Sequence, residues 1–168
     1  MSTSEGRVWK FGDDVNTDLI IPGRYLDNYD PVHLAKHAME GVSKDFATKV
    51  SKGDVIVAGK NFGCGSSREQ AVIALKHAGV AVVVAESFAR IFYRNAVNLG
   101  LPVLISKSAR DLLEDGSRVV WDRESMTLTR VDDGVRIDAE ETPQHLRAIL
   151  DAGGLVPYVK ELLNQGRS

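Results

Sequence analysis

Between Val55 and Ile105 short β-branched runs alternate with helical patterns, and this alternation restricts the fold more than any other feature of the chain. Val55-Ile56-Val57-Ala58 has no polar alternation, so it predicts a strand buried on both faces. A glycine-rich loop, Gly59 to Gly65, follows it. Ala71, Ala74, Leu75 and Ala78 then recur at i, i+3, i+4 and i+7, one face of a helix that Gly79 can cap. Val80 to Ala85 reads as a second buried strand. Ser87 can cap a second helix, with Phe88, Ile91, Phe92 and Leu99 on one face and Gly100 at its end. Leu101 to Ile105 is a third strand. Strands separated by helices cannot form hairpins, so the order strand–helix–strand–helix–strand implies parallel pairing through crossovers.

The flanks differ in character. Val8 to Phe11 reads as a short strand, followed by a polar loop, Gly12 to Asp18, and an apolar run, Leu19-Ile20-Ile21, stopped by Pro22-Gly23. Asp30-Pro31 is an N-cap with proline at the first helical position, and starts a helix to about Met39. Arg118 to Asp122, Thr127 to Arg130 and Val135 to Asp138 read as short strands joined by turns at Glu124-Ser125 and Asp132-Asp133-Gly134. Thr142-Pro143 opens a helix to about Asp151, Gly153-Gly154 breaks it, and Leu155 to Leu163 forms the last. The expected class is α/β, a parallel strand–helix core with an antiparallel β portion, in one domain over residues 1–168.

A chain of 168 residues can bury a core without disulfides or metal staples. Its 21 basic and 23 acidic side chains give a net charge of −2, which leaves no basic footprint for nucleic acid or an anionic membrane. No apolar run reaches the length of a membrane span, and Met-Ser-Thr-Ser-Glu-Gly carries no signal-like apolar stretch. A cytoplasmic enzyme or enzyme subunit is expected. Cys64 is the only cysteine, so neither an internal disulfide nor an iron–sulfur cluster can be built from this chain's thiols.

Asn61-Phe62-Gly63-Cys64-Gly65-Ser66-Ser67-Arg68-Glu69 carries the strongest chemical signal. It joins a strand to a helix start, where free N–H groups and the helix dipole favour an anion. Two hydroxyls and a guanidinium share that turn, and arginine grips a carboxylate bidentately. The known phosphate loops do not fit. Position 68 is Arg where a dinucleotide fingerprint needs glycine, and a P-loop would need Gly-Lys before the hydroxyl. A nucleophile elbow fails because Glu69 stands where it needs glycine. The plainer reading of the same residues is a capping serine on a glycine-rich turn. Asn16-Thr17-Asp18 is a second candidate, with an Asx-turn or N-cap as its plainer reading. His33 and His37 have metal-ligand spacing, but Leu34 replaces a zincin glutamate and no third ligand is evident, so a solvated helix face is expected. Phe88, Phe92 and Tyr93 read as core, and Arg90 and Arg94 as solvated or near a carboxylate site.

Three blocks together resemble the small subunits of isopropylmalate isomerase and homoaconitase, the counterpart of the mobile swivel domain of aconitase. They are Val8 to Asp18, Gly59 to Glu69, and Glu86 to Asn95 with Asn98-Leu99-Gly100-Leu101-Pro102. They occur in the family's order, and the chain has the length of the family's short form. The resemblance implies an aconitase-like swivel fold. It also implies a hydro-lyase reaction in leucine biosynthesis, the dehydration and rehydration of a hydroxy dicarboxylate such as 3-isopropylmalate. No cofactor belongs to this chain; a four-iron–four-sulfur cluster is expected on a partner large subunit.

By the same resemblance Ser66 is the catalytic base, as an alkoxide, and Asp18 orients a histidine across the subunit boundary. Ser67 and Arg68 bind substrate with Gly65, and Arg24 contributes beside them. Tyr25, Leu26 and Asp27 begin the loop that selects the substrate. Homoaconitases of the archaeal type carry arginine directly after the Tyr-Leu pair, where this chain has Asp27. That favours isopropylmalate over homocitrate. The alternatives are a homoaconitase or methyl-branched malate dehydratase subunit or, in a different class, a non-catalytic carboxylate-binding module of the same fold.

Overall fold

A computed structural model describes residues 2–166 of the chain. Six strands form a single mixed sheet. They are β1 (Thr3–Lys10), β2 (Val55–Ala58), β3 (Val82–Ala85), β4 (Val103–Ile105), β5 (Arg118–Asp122) and β6 (Thr127–Arg130). Their order across the sheet is β4-β3-β2-β1-β5-β6. The expected parallel unit is present, with β2 pairing β3 and β3 pairing β4 in parallel. Its crossovers are α4 (Glu69–Ala78) and α5 (Arg90–Asn98). Both run in the same direction across the sheet and pack on one face, where Ala71, Leu75, Phe92 and Val97 meet Ile56, Ala58 and Val83.

β1 joins the two halves. Val8 to Lys10 pair in parallel with Val55 to Val57, while Thr3 to Arg7 pair antiparallel with β5. The sheet curls there. Val119, Trp121 and Leu128 come over the second face, against Val55, Val57, Val82 and Val84. The uninterrupted apolar runs of β2 and β3 follow from this, since every residue of both strands is buried. Asp54 supports the junction from within: its buried carboxylate accepts from the Arg7 and Ser51 amides and from Trp9 Nε1.

Four short helices complete the frame: α1 (Thr17–Ile20), α2 (Pro31–Ala35), α3 (Phe46–Lys49) and α6 (Ala109–Leu112). Near the C-terminus, α7 (Gln144–Asp151) is followed by α8 (Leu155–Gln165) after the Gly153-Gly154 break. Among the described residues no helix is long and apolar enough to cross a membrane.

Several expectations are corrected. β1 begins at Thr3 rather than Val8, because its first half finds its partner in β5, more than a hundred residues away. The apolar run at Leu19 and Ile20, which carried no expected conformation, lies in a helical turn that Asn16 caps, accepting from the Leu19 amide. The helix begun by Asp30-Pro31 ends at Ala35, and turns carry the chain on past Met39, which has φ +59°. Val135 to Asp138 is not a strand; one bridge, Thr129 to Arg136, is all that forms. Ser87 does not cap α5. Its hydroxyl accepts from the Asn61 amide, and Ala89 occupies the N-cap. Ile91 leaves the apolar face assigned to it and is 49% exposed. α3 and α6, one turn each, are too short for periodicity to mark.

Candidate active site

The loops that leave the C-terminal ends of β2 and β3 face each other. Phe62 bridges Phe88 in parallel, so pairing resumes in the loops, four residues past Ala58 and three past Ala85. Crevices at this edge of a parallel sheet are the usual ligand sites of open α/β folds. Here a cavity of about 370 Å³ is lined by Gly65, Ser66, Ser67 and Arg68 from one loop and by Ala89 to Phe92 and Asn95 from the other side. The residues singled out as the strongest chemical signal therefore share one opening.

The backbone needed to build this loop explains its composition. Asn61, Gly63 and Gly65 all have positive φ, at 61°, 83° and 95°. Gly63 has a second constraint, since a Cβ there would lie 2.2 Å from the Phe92 ring. The loop is tied to Val15 and Thr17 at three points. Thr17 N donates to Cys64 O and Gly63 N donates to Val15 O, each at 2.8 Å. The Thr17 hydroxyl donates to Ser66 O at 2.9 Å, and Thr17 is itself buried. Asn16 fulfils the plainer reading, an N-cap, but the block as a whole clamps the serine loop. Thr17 is the residue of this block that holds the serine loop, and its residue type alone does not mark it.

Ser66 and Ser67 are exposed, and neither caps α4; Arg68 holds that position, with no side-chain cap. The capping-serine reading is thereby removed. Arg68 turns its guanidinium back toward α1. Nη1 donates to Asp18 Oδ1 at 3.1 Å and to Ile21 O at 3.2 Å. Both Nη1 protons are thus used, which leaves the Nε and Nη2 edge, the geometry of bidentate carboxylate binding, without a partner among the described residues. Asp18 Oδ1 also accepts from the Gly23 amide at 3.0 Å. The Arg68 guanidinium and this amide hold the Asp18 carboxyl below its ordinary 3.8, so it stays ionised. The side chain is 66% exposed, and Oδ2 remains open on its outer side.

The segment expected to select substrate lies beside the cavity rather than in its lining. Arg24 is paired with Glu40 at 2.6 Å and lies over the Tyr25 ring. Tyr25 donates its hydroxyl to Glu40 at 2.8 Å and stacks on His37, with ring centroids 3.7 Å apart. Burial raises the Glu40 carboxyl, but hydrogen bonds from Tyr25, His37 and Arg24 outweigh it and leave the group below its usual range. His37 is therefore part of a packed cluster with His33, Tyr25 and Glu40, not a solvated face. Leu26 is half-buried, and its carbonyl accepts from Gln70 Nε2 at 3.3 Å. Asp27 is exposed. Glu40 and Gln70 position this segment, and nothing in their local sequence announces it.

The residues of this chain do not fit an iron–sulfur cluster. Cys64 is the single thiol, and among the described residues no group of three or more His, Cys, Asp or Glu side chains could hold a metal ion.

Residues 29–108 match the aconitase C-terminal domain. The 3-isopropylmalate dehydratase small subunit 1 of Methanopyrus kandleri is 56% identical over 155 residues, 92% of this chain and 91% of that one. The methanogen homoaconitase small subunit of Methanothermobacter thermautotrophicus is 52% identical over 163 residues, 97% and 94% of the two chains. The crystal structure of 3-isopropylmalate dehydratase from Methanocaldococcus jannaschii superposes with a TM-score of 0.90 at 49% identity, covering 99% of each chain. With relatives this similar over nearly its whole length, the chain belongs to the 3-isopropylmalate dehydratase small-subunit family of the aconitase superfamily.

Proposed function

We propose that this chain is the small subunit of a two-subunit, cytoplasmic 3-isopropylmalate dehydratase of leucine biosynthesis. In this reading its large partner holds the four-iron–four-sulfur cluster that activates the leaving hydroxyl. The observation that carries the reading is the convergence of Ser66, Ser67 and Arg68 on one cavity, with Arg68 braced by Asp18 so that one guanidinium edge stays free. A pure scaffold has no use for that set.

The chemistry asked of these residues is proton removal from a carbon next to a carboxylate. Such a proton is weakly acidic, and the negative charge that builds must be received by fixed donors. Ser66 takes the proton as the hydroxyl leaves the neighbouring carbon, and returns one when water adds with the opposite regiochemistry. A serine alkoxide is far too basic to persist unaided, so its stabilisation falls to the uncapped start of α4 and to the nearby guanidinium. Arg68 holds a substrate carboxylate through Nε and Nη2, and Ser67 and the Gly65 backbone contact it beside Ser66. Asp18 orients Arg68 through Oδ1 and offers Oδ2 to a histidine of the large subunit.

For substrate choice the ion pairs near Tyr25 are informative. A third carboxylate, as in homocitrate, would need a cation in the selecting segment, since a buried unpaired charge is heavily penalised. Arg24 is the cation there, and Glu40 already offsets it at 2.6 Å. Asp27 and Asp30 would repel, whereas Tyr25, Leu26 and Tyr29 suit an apolar branch. The test is kcat/KM for 3-isopropylmalate, citramalate and homocitrate on the reconstituted pair. The expected order places 3-isopropylmalate first and citramalate within about 1–3 kcal/mol of it, the range for a few methylenes. Preference for homocitrate would overturn the assignment.

A further inference from the structure

We infer that Arg90, at the start of α5, binds a second carboxylate of the substrate, opposite the one held by Arg68. The inference rests on the proposed reading that this cavity receives a hydroxy dicarboxylate. Arg90 lines the same cavity as Ser66, Ser67 and Arg68, from the other wall. No acidic side chain is among the lining residues.

Charge balance singles it out. A dicarboxylate brings two negative charges. Arg68 brings one positive charge, and Asp18 at 3.1 Å already offsets it, so that pair is close to neutral as a unit. Arg7, Arg24, Arg110, Arg118 and Arg130 likewise pair with carboxylates. Of the two cations that line the cavity, Arg90 alone pairs with no carboxylate among the described residues, and it is exposed. It is therefore the uncompensated cation of the cavity wall. Ala89 to Phe92 are held in place by Ala89 N donating to Phe62 O at 2.9 Å and by Phe92 packing against Gly63. The two arginines thus stand on elements fastened to each other.

The experiment compares wild type, Arg90→Gln and Arg90→Lys in the reconstituted pair, measuring kcat, KM and subunit affinity by titration. The substrate is whichever of 3-isopropylmalate, citramalate and homocitrate the wild-type pair turns over best. Arg90→Gln should raise KM about tenfold to a hundredfold, as loss of a charge-assisted hydrogen bond does. Subunit affinity should stay unchanged, and Arg90→Lys should recover part of the loss. An unchanged KM in Arg90→Gln overturns the inference while leaving the dehydratase reading intact. A weakened subunit affinity that accounts for the lost activity overturns it too, and makes Arg90 a docking residue. If the wild-type pair turns over none of the three, the dehydratase reading fails and the inference falls with it.

Discussion

Asp18 shows how a residue's role depends on its neighbours more than on its motif. The sequence offers it as a capping aspartate or as a partner for a histidine elsewhere; the structure gives its Oδ1 to Arg68 and to the Gly23 amide. Both donors favour the ionised form, so the group lies below its ordinary 3.8. The consequence for pH has a definite sign. A carboxyl with a depressed pKa makes its contribution above the ordinary value and loses it only as pH falls through the lowered one. From about pH 5 to pH 8 Asp18 therefore stays charged, and its own titration adds no limb to the activity profile. Asp18→Asn should lower kcat/KM about tenfold, through a looser Arg68, and should move any limb set by the histidine it faces to lower pH, because the carboxylate favours the imidazolium. Profiles of kcat/KM for both proteins check this, and an unchanged kcat/KM in Asp18→Asn would contradict it. At this scale the site was half legible. Ser66, Ser67, Arg68 and Asp18 stand in blocks whose residue types announce chemistry. Thr17, Glu40 and Gln70 do not, because their work is to hold backbone and side chains distant in sequence.

The serine loop is the element on which the site depends, and its glycines divide the labour. Gly65 supplies a left-handed turn beside Thr17, while Gly63 combines φ +83° with direct contact against the Phe92 ring. A methyl group at position 63 would meet both obstacles. Gly63→Ala should destabilise the chain by roughly 2–5 kcal/mol, the sum of overpacking and a left-handed backbone penalty. Urea unfolding followed by circular dichroism measures it, and a change below about 0.5 kcal/mol, typical of a harmless surface substitution, would show that the loop relaxes freely. Elements long enough to carry a period were readable in advance, as α4, α5 and the parallel strands show. Those that depend on remote partners were not. The first half of β1 has no hydrophobic alternation and exists as strand because β5 pairs with it. Val135 to Asp138 has strand-like residues but finds only one bridge.

As a whole molecule the protein places its chemistry at one edge of a curled sheet. The parallel strands aim two loops at one cavity, and the antiparallel strands seal the far face of the same sheet. In the proposed reading the group that activates the leaving hydroxyl belongs to the large partner, and this chain is half of an active site. The most direct test uses a purified large subunit with its cluster assembled under anaerobic conditions. Turnover of 3-isopropylmalate is followed with each subunit alone, with the pair, and with the pair carrying Ser66→Ala. Turnover should require both wild-type subunits, and Ser66→Ala should assemble normally yet lose about a hundred- to ten-thousand-fold in kcat, the usual loss for a missing general base. Turnover by this chain alone, or near-normal kcat from the Ser66→Ala pair, would contradict the account.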